Sequence, residues 1–243
     1  MKVLIAGASG ATGSKLVEQL LIGKHNVKII VRTPKNLPER WKNNHQLQVI
    51  SANILDLGDT QLKEIVKDCD AVVSCLGHNV TFKGIYGKPR KLVTEATKRL
   101  CEAIKDHKPK HAIKFVLMNT SGNSNRDLNE PISFAQKCVI GLLRLLLPPH
   151  VDNEQAADYL RTQIGQSDTF IEWVAVRPDG LINEDSVTDY EIYPSPIRSA
   201  IFNAGKVSRI NVAHFMSRLV SDDMLWTKWK GQMPVIYSMS SSS

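Results

Sequence analysis

The opening segment KVLIAGASGATG places Gly7, Gly10 and Gly13 three residues apart, between an apolar run and an amphipathic one. Glycine serves a distinct purpose at each position of such a junction. The first permits a tight turn, the second lets backbone amides approach a pyrophosphate, and the third lets the helix pack on the strand, whose partner helix offers its positive N-terminal end. The turn residues Gly7, Ser9, Gly10, Ala11, Thr12 and Gly13 are therefore candidates for holding the phosphates of a dinucleotide. About 20 residues beyond such a turn, NAD-selective proteins carry an acid that accepts from the ribose 2′-hydroxyl. Here the second apolar run ends VKIIVRTPK and Arg32 stands at that place. Its planar fork of donors suits a 2′-phosphate, Thr33 and Lys35 can add a hydroxyl and a charge, and the cofactor expected is NADP(H). Gly77, in CLGH, is a further candidate, because backbone after a fourth strand must pass close to the cofactor ribose.

Elements of the right kind surround these residues. Apolar runs of strand length at Lys2–Ala6, Val27–Val31, Leu47–Ala52, Ala71–Cys75, Lys114–Asn119, Ile171–Arg177 and Val235–Tyr237 alternate with helical patterns. The helical patterns fall at Ala11–Leu21, Thr60–Val66, Lys91–His107, Asn153–Gln163 and Val212–Leu219. That alternation predicts an α/β, doubly wound (Rossmann) parallel sheet of about seven strands with helices on both faces. The chain reads as a single domain over residues 1–238, followed by a serine-rich disordered tail at 239–243. Segments 123–149 and 183–207 break the alternation at the carboxyl edge of the sheet, where ligands bind in open α/β folds, and are candidate substrate walls.

Taken together, GASGATG, VRTP, AVVSCLG, VLMNTSG, WVAVRPDGL and SRINVAHFM resemble the short-chain dehydrogenase/reductase superfamily. The likeness is to its atypical branch, which includes NmrA-like and biliverdin/flavin-reductase-like NAD(P)H-binding proteins, and it covers nearly the whole chain. It implies that Asp56, with Leu57 beside it, approaches the adenine amino group, although an Asp before a turn has that simpler use too. It implies that Thr120 and Ser121 end the fifth strand beside the nicotinamide, and that Arg177 and Pro178 form a turn facing that ring. The Tyr-x-x-x-Lys pair of many members is absent: residues 90, 163, 194, 197 and 241, four past each tyrosine, are Arg, Gln, Pro, Ile and Ser. In the stretch PPHVDNEQAADYLR, where members place that Tyr or a ribose-binding Lys, stand His150, Asp152, Asn153 and Glu154. An imidazole as a residue type changes charge near working pH, which makes His150 a candidate proton donor alongside Ser121. Asp152 or Asn153 alternatively caps the following helix, leaving His150 a loop residue.

Other classes are disfavoured. The net charge of +7 would attract a polyanion, but the basic residues are scattered and no aromatics interleave with them as a nucleic-acid surface needs. Four cysteines without metal-ligand spacing, and no signal peptide, point to a reducing cytoplasm and to no metal site. The longest apolar stretch, Val139–Pro149, is interrupted by Arg144 and falls short of the roughly 20 residues of a membrane span. Its outer side is a candidate homodimer contact. Two functions fit: an NADPH-dependent reductase acting on a small conjugated or carbonyl acceptor, and a non-catalytic NADP(H)-sensing regulatory or assembly protein.

Overall fold

A computed structural model describes residues 1–78, 81 and 85–239. Ten strands form, β1 Lys2–Ala6, β2 Asn26–Val31, β3 Leu47–Ser51, β4 Ala71–Ser74, β5 Ile113–Met118, β6 Ile171–Pro178, β7 Gly180–Ile182, β8 Tyr190–Tyr193, β9 Lys206–Ser208 and β10 Val235–Ser238. Eight of them make one sheet in the order β3-β2-β1-β4-β5-β6-β10-β8. The seven expected strands are its parallel members. The eighth, β8, pairs antiparallel with β10 at the edge, and β7 and β9 form a small sheet of their own. Central strands such as β4 are buried along their whole length, so they read as unbroken apolar runs. The edge strand YEIY is only half-buried and lacks that signature.

Among the described residues the helices are α1 Ala11–Ile22, α2 Glu39–Lys42, α3 Asp59–Val66, α4 Leu92–His107, α5 Phe134–Leu146, α6 Pro148–Tyr159, α7 Arg209–Ser221 and α8 Asp223–Trp229. Leu16, Val17 and Leu20 of α1 pack with Val212, Phe215 and Leu219 of α7 on one face of the sheet. On the other face, Leu62 of α3, Leu100 and Ile104 of α4 and Ala156 of α6 cover Leu4, Val72 and Phe115. The chain runs outward from β1 to β3, then returns to β4 and runs the other way. The loops leaving β1 and β4 thus part company, and a crevice opens at the carboxyl ends of these neighbouring strands.

Helix α6 begins at Pro148, five residues ahead of the Asn153 start read from the sequence. Two prolines at its first positions favour this start, because they have no N–H to leave unpaired. His150 therefore belongs to its first turn, and Asp152 does not cap it. Asp152 instead accepts from the Val93 and Thr94 amides at 2.8 and 2.9 Å, capping the neighbouring helix α4, and from His78 Nε2 at 2.8 Å. The expected tail at 239–243 lies, from residue 240, outside the described residues.

Candidate nucleotide and acceptor site

The glycine turn is shaped by contacts that leave no room for side chains. Gly7 has φ +83°, and a Cβ there would sit 2.6 Å from the backbone of Cys75 at the end of β4. At Gly13 a Cβ would come within 2.2 Å of the Gly7 carbonyl, so its absence lets α1 close on the turn. The Gly10 amide donates to the Gly7 carbonyl at 3.0 Å. Helix α1 starts with neither a side-chain cap nor an acid in its first turn, which leaves its forward amides available to an anion.

A cavity of about 320 Å³ opens in front of this turn. Gly7, Ser9, Gly10, Arg32 and Gly77 line it. Gly77 differs from the turn glycines in that a Cβ there would meet no atom of the described residues within 4 Å, and Gly77 itself lines the cavity. The exposed Arg32 side chain has no hydrogen-bond or ion-pair partner among the described residues. Ala11, Thr12 and Gly13 stand behind the cavity, where Thr12 and Gly13 are buried in the first turn of α1. Thr33 is exposed just past β2 and makes no capping bond with its side chain. Asp56 and Leu57 do not reach the wall. The Asp56 carboxylate accepts from the Asn53 amide at 3.0 Å, and Leu57 packs on the core. The wall there is Asn53 and Ile54, three residues earlier, directly beyond the end of β3. Pro89 and Leu92, at the start of α4, complete it, and no sequence pattern had pointed to them. Cys75 also faces the cavity, but burial pushes its thiol up to about 12, so it lines the wall without acting as a thiolate.

A second cavity, of about 250 Å³, lies between the two irregular segments. Ser121, Ser133 and Gln136 line one side and Ile197, Arg198 and Ser199 the other. Ser121 is buried, and its hydroxyl donates to Asp179 Oδ1 at 2.9 Å. Asp179 is fixed in turn by the Gly180 amide on Oδ1 at 3.0 Å and the Gly205 amide on Oδ2 at 2.8 Å. The single proton of Ser121 is thus engaged, and toward the cavity its oxygen is an acceptor. Thr120 sits beside it with its Oγ1 accepting from the Gly122 amide at 3.3 Å. Pro178 turns its carbonyl to the Ser121 amide at 2.9 Å.

His150 packs over the same turn, its Cε1 close to the Gly122 Cα. Its Nε2 lies 3.3 Å from Glu154 Oε1, within ion-pair range but off the line of a hydrogen bond. Arg144 of α5 grips Glu154 with Nε at 2.9 Å from Oε2 and Nη2 at 3.0 Å from Oε1. Burial by itself would raise the Glu154 pKa, but His150 and Arg144 outweigh it and hold the group down to about 2. The carboxylate is therefore favoured by folding. Its contribution to stability is present above its ordinary pKa of 4.5 and is lost as pH falls from there toward 2. The Glu154→Gln variant should accordingly be less stable at pH 7 and show a flatter decline between pH 4.5 and 2, as urea titrations at a series of pH values would measure.

Arg177 does not face a ring site. Its side chain is wholly buried and is spent on protein partners: Nε donates to the Met233 carbonyl, Nη1 to the Asn123 carbonyl and Glu130, and Nη2 to Glu130 and the Pro194 carbonyl. Five donors meet five acceptors.

A family model described as NAD(P)H-binding matches residues 7–223 of this chain. The chain belongs to that family. This NAD(P)H-binding protein is 29% identical over 183 residues to an uncharacterised chloroplastic protein of Arabidopsis thaliana; the match takes in 75% of this chain and spans 60% of the relative's length. Among solved structures it superposes on a short-chain dehydrogenase/reductase of Veillonella parvula in complex with NADP, with TM-score 0.71, 16% identity, and 100% and 96% of the two chains covered. An oxidoreductase of Lactococcus lactis gives TM-score 0.69 and 16% identity over 99% and 92% of the chains. These likenesses establish the fold, and the family establishes a nicotinamide nucleotide as cofactor class. No helix among the described residues is long and apolar enough to cross a membrane, and no metal-binding cluster of His, Cys, Asp or Glu occurs among them.

The residues present fit such a cofactor. Gly7 and Gly13 lack side chains because the protein itself fills the space, whereas a Cβ at Gly77, which lines the cavity, would meet no atom of the described residues within 4 Å. Gly77→Ala should therefore leave the unfolding temperature of the free protein within about 2 °C, as a substitution into open space costs within about 0.5 kcal/mol. The same change should weaken nicotinamide nucleotide binding about tenfold, or about 1.4 kcal/mol. Calorimetric titration and thermal unfolding of one preparation would measure both.

Proposed function

We propose that this protein is an NADPH-dependent reductase that passes hydride to a small conjugated or carbonyl acceptor. The observation that carries the reading is the pair of cavities: one against the glycine turn with an unpaired Arg32 at its rim, the other walled by both irregular segments around Ser121. In this reading Gly7, Ser9, Gly10, Ala11, Thr12 and Gly13 hold the pyrophosphate. Arg32 and Thr33 hold the 2′-phosphate, Asn53 and Ile54 take the adenine contact in place of Asp56 and Leu57, and Gly77, Thr120 and Pro178 border the nicotinamide half. A bound reduced nicotinamide supplies hydride. Residues 123–149 and 183–207 then serve as the acceptor's walls, and contact with the ring at that wall supplies much of the rate.

The proton needs a source other than Tyr. Ser121 is committed to Asp179 as a donor, so its oxygen can hold only a substrate that brings a donor of its own, such as the ring N–H of a flavin. His150 is the proton donor in this proposal. Glu154, ionised and gripped by Arg144, lies 3.3 Å from its Nε2 and fixes where the ring sits.

The test is turnover. Purified protein with NADPH should oxidise it when offered a panel of quinones, flavins and enones. His150→Gln should lower kcat on acceptors that require protonation by about 10²-fold or more, with NADPH affinity unchanged. Binding of NADPH without oxidation by any acceptor would overturn the reductase and favour the sensing protein, a reading that the modest 250 Å³ cavity also accommodates.

A further inference from the structure

Helix α5 is an anomaly in a fold whose other long helices bury a face. Of its 13 residues only Ile140 is buried. Phe134 is 82% exposed, Leu145 79%, Leu142 54% and Leu146 50%. Exposing several large apolar groups on one short helix is costly and marks an interaction surface.

Charge identifies the partner. Between Glu130 and Asp152 there is no acidic residue; of the two cations on the helix Lys137 is exposed, while Arg144 is already paired with Glu154 of α6. Tyr86 donates its hydroxyl to the Leu146 carbonyl at 3.1 Å, so the loop that carries the exposed Lys88, Arg90 and Lys91 is tied at Tyr86 to the C-terminal end of α5. No ion pair engages these three among the described residues. At the other end Arg198 shares the second cavity with Glu130, Ser133 and Gln136; it stacks over Tyr237 and forms no ion pair among the described residues. An apolar helix face rimmed by cations at both ends has the chemistry of an interfacial helix on an anionic bilayer. At 13 residues it would be about 20 Å long at 1.5 Å per residue, so it lies along a membrane without crossing one. A two-fold contact with a second copy would set the same cationic rims against each other, in a protein of net charge +7.

We infer that the exposed face of α5, with Lys88, Arg90 and Lys91 beside it, docks this protein on the surface of an anionic membrane. Apolar side chains enter the headgroup region while the cations meet lipid phosphates. The Ser133 and Gln136 wall of the second cavity then faces the bilayer side of the molecule, independently of whether that cavity supports turnover.

The experiment is co-sedimentation of the full chain with phosphatidylcholine vesicles, with and without 30% phosphatidylglycerol. Binding should require the anionic lipid and fall as salt rises from about 0.1 to 0.5 M, because screening shortens over that range. Leu145→Glu should abolish it. A combined Lys88→Ala, Arg90→Ala, Lys91→Ala variant should lower the partition coefficient roughly a hundredfold, each cation near the surface counting for about fivefold. Leu145 does not line the nucleotide cavity, so unchanged nucleotide binding certifies that Leu145→Glu is folded; the triple variant, whose positions flank Pro89 and Leu92 of that cavity's wall, is certified instead by an unchanged unfolding temperature. No sedimentation with anionic vesicles, or sedimentation indifferent to Leu145→Glu, overturns the proposal. So does a dimer in solution that Leu145→Glu dissociates, which would assign the face to a second copy.

Discussion

Replacing Arg177 by methionine should lower stability by about 3–5 kcal/mol, the cost of stripping one partner from a buried ion pair. For a chain of this size that corresponds to a fall in Tm of roughly 6–20 °C. The size follows from what is left behind. Glu130, 3% exposed, would keep a carboxylate whose remaining partner is the Asn125 amide at 2.9 Å. The carbonyls of Asn123, Pro194 and Met233 would each lose a donor. Because of those carbonyls, pairing the change with Glu130→Met should recover only part of the loss, unlike ion pairs that can be swapped whole for apolar groups. The three carbonyls come from the segment after β5, the segment before β10 and the loop carrying the second cavity, so Arg177 also sets the distance between the cavity's walls. A Tm within about 2 °C of the parent would show that Arg177 is not the fastener its geometry makes it.

Arg177 also illustrates where sequence stops being legible. The motif VRPDGL suggested a turn facing a ligand, and local pattern alone offers no way to tell an arginine aimed at a ligand from one aimed inward. Its partners lie 17 to 56 residues away along the chain, and only the folded sheet brings them together. The inner parallel strands were legible because they are buried on both faces and so read as near-continuous apolar runs, whereas β3, at the edge, is largely exposed and was marked only by Leu47, Val49 and Ile50. The glycine turn was legible because a close backbone approach admits no other residue, as the contacts at Gly7 and Gly13 bear out. Asp152 misled for the opposite reason: an Asp ahead of a helical pattern looks like its cap, yet the amides it meets belong to α4, 58 residues or more away. Asn53 and Ile54 could have been found, since with Ala52 they are the residues that clear β3 at the carboxyl edge, but an acid draws attention and Asp56 is three residues on. His150 and Glu154 lie one helical turn apart, and their proximity became predictable only once α6 was seen to begin at Pro148.

Replacing Arg32 by alanine should weaken NADPH binding by roughly tenfold to 150-fold, the range of a hydrogen bond to a charged group at about 1.5–3 kcal/mol, and leave NADH binding unaltered. The selectivity of the loss follows from the structure of the residue's surroundings. Arg32 is exposed at the end of β2, lines the nucleotide cavity and is engaged by no carboxylate among the described residues. Removing it therefore breaks no internal pair, and thermal unfolding of the free protein should not move. Arg32→Asp goes further, since a carboxylate there repels a 2′-phosphate and accepts from a 2′-hydroxyl, so the preference should invert toward NADH. Screening supplies an independent check: an exposed charge contact weakens with ionic strength, so the NADPH preference of the parent should shrink between 0.05 and 0.5 M salt while that of Arg32→Ala stays flat. Equal affinities for the two nucleotides in the parent, or an equal loss of both in Arg32→Ala, would show that the guanidinium does not read the 2′-phosphate. The cofactor would then be chosen by the adenine wall at Asn53 and Ile54.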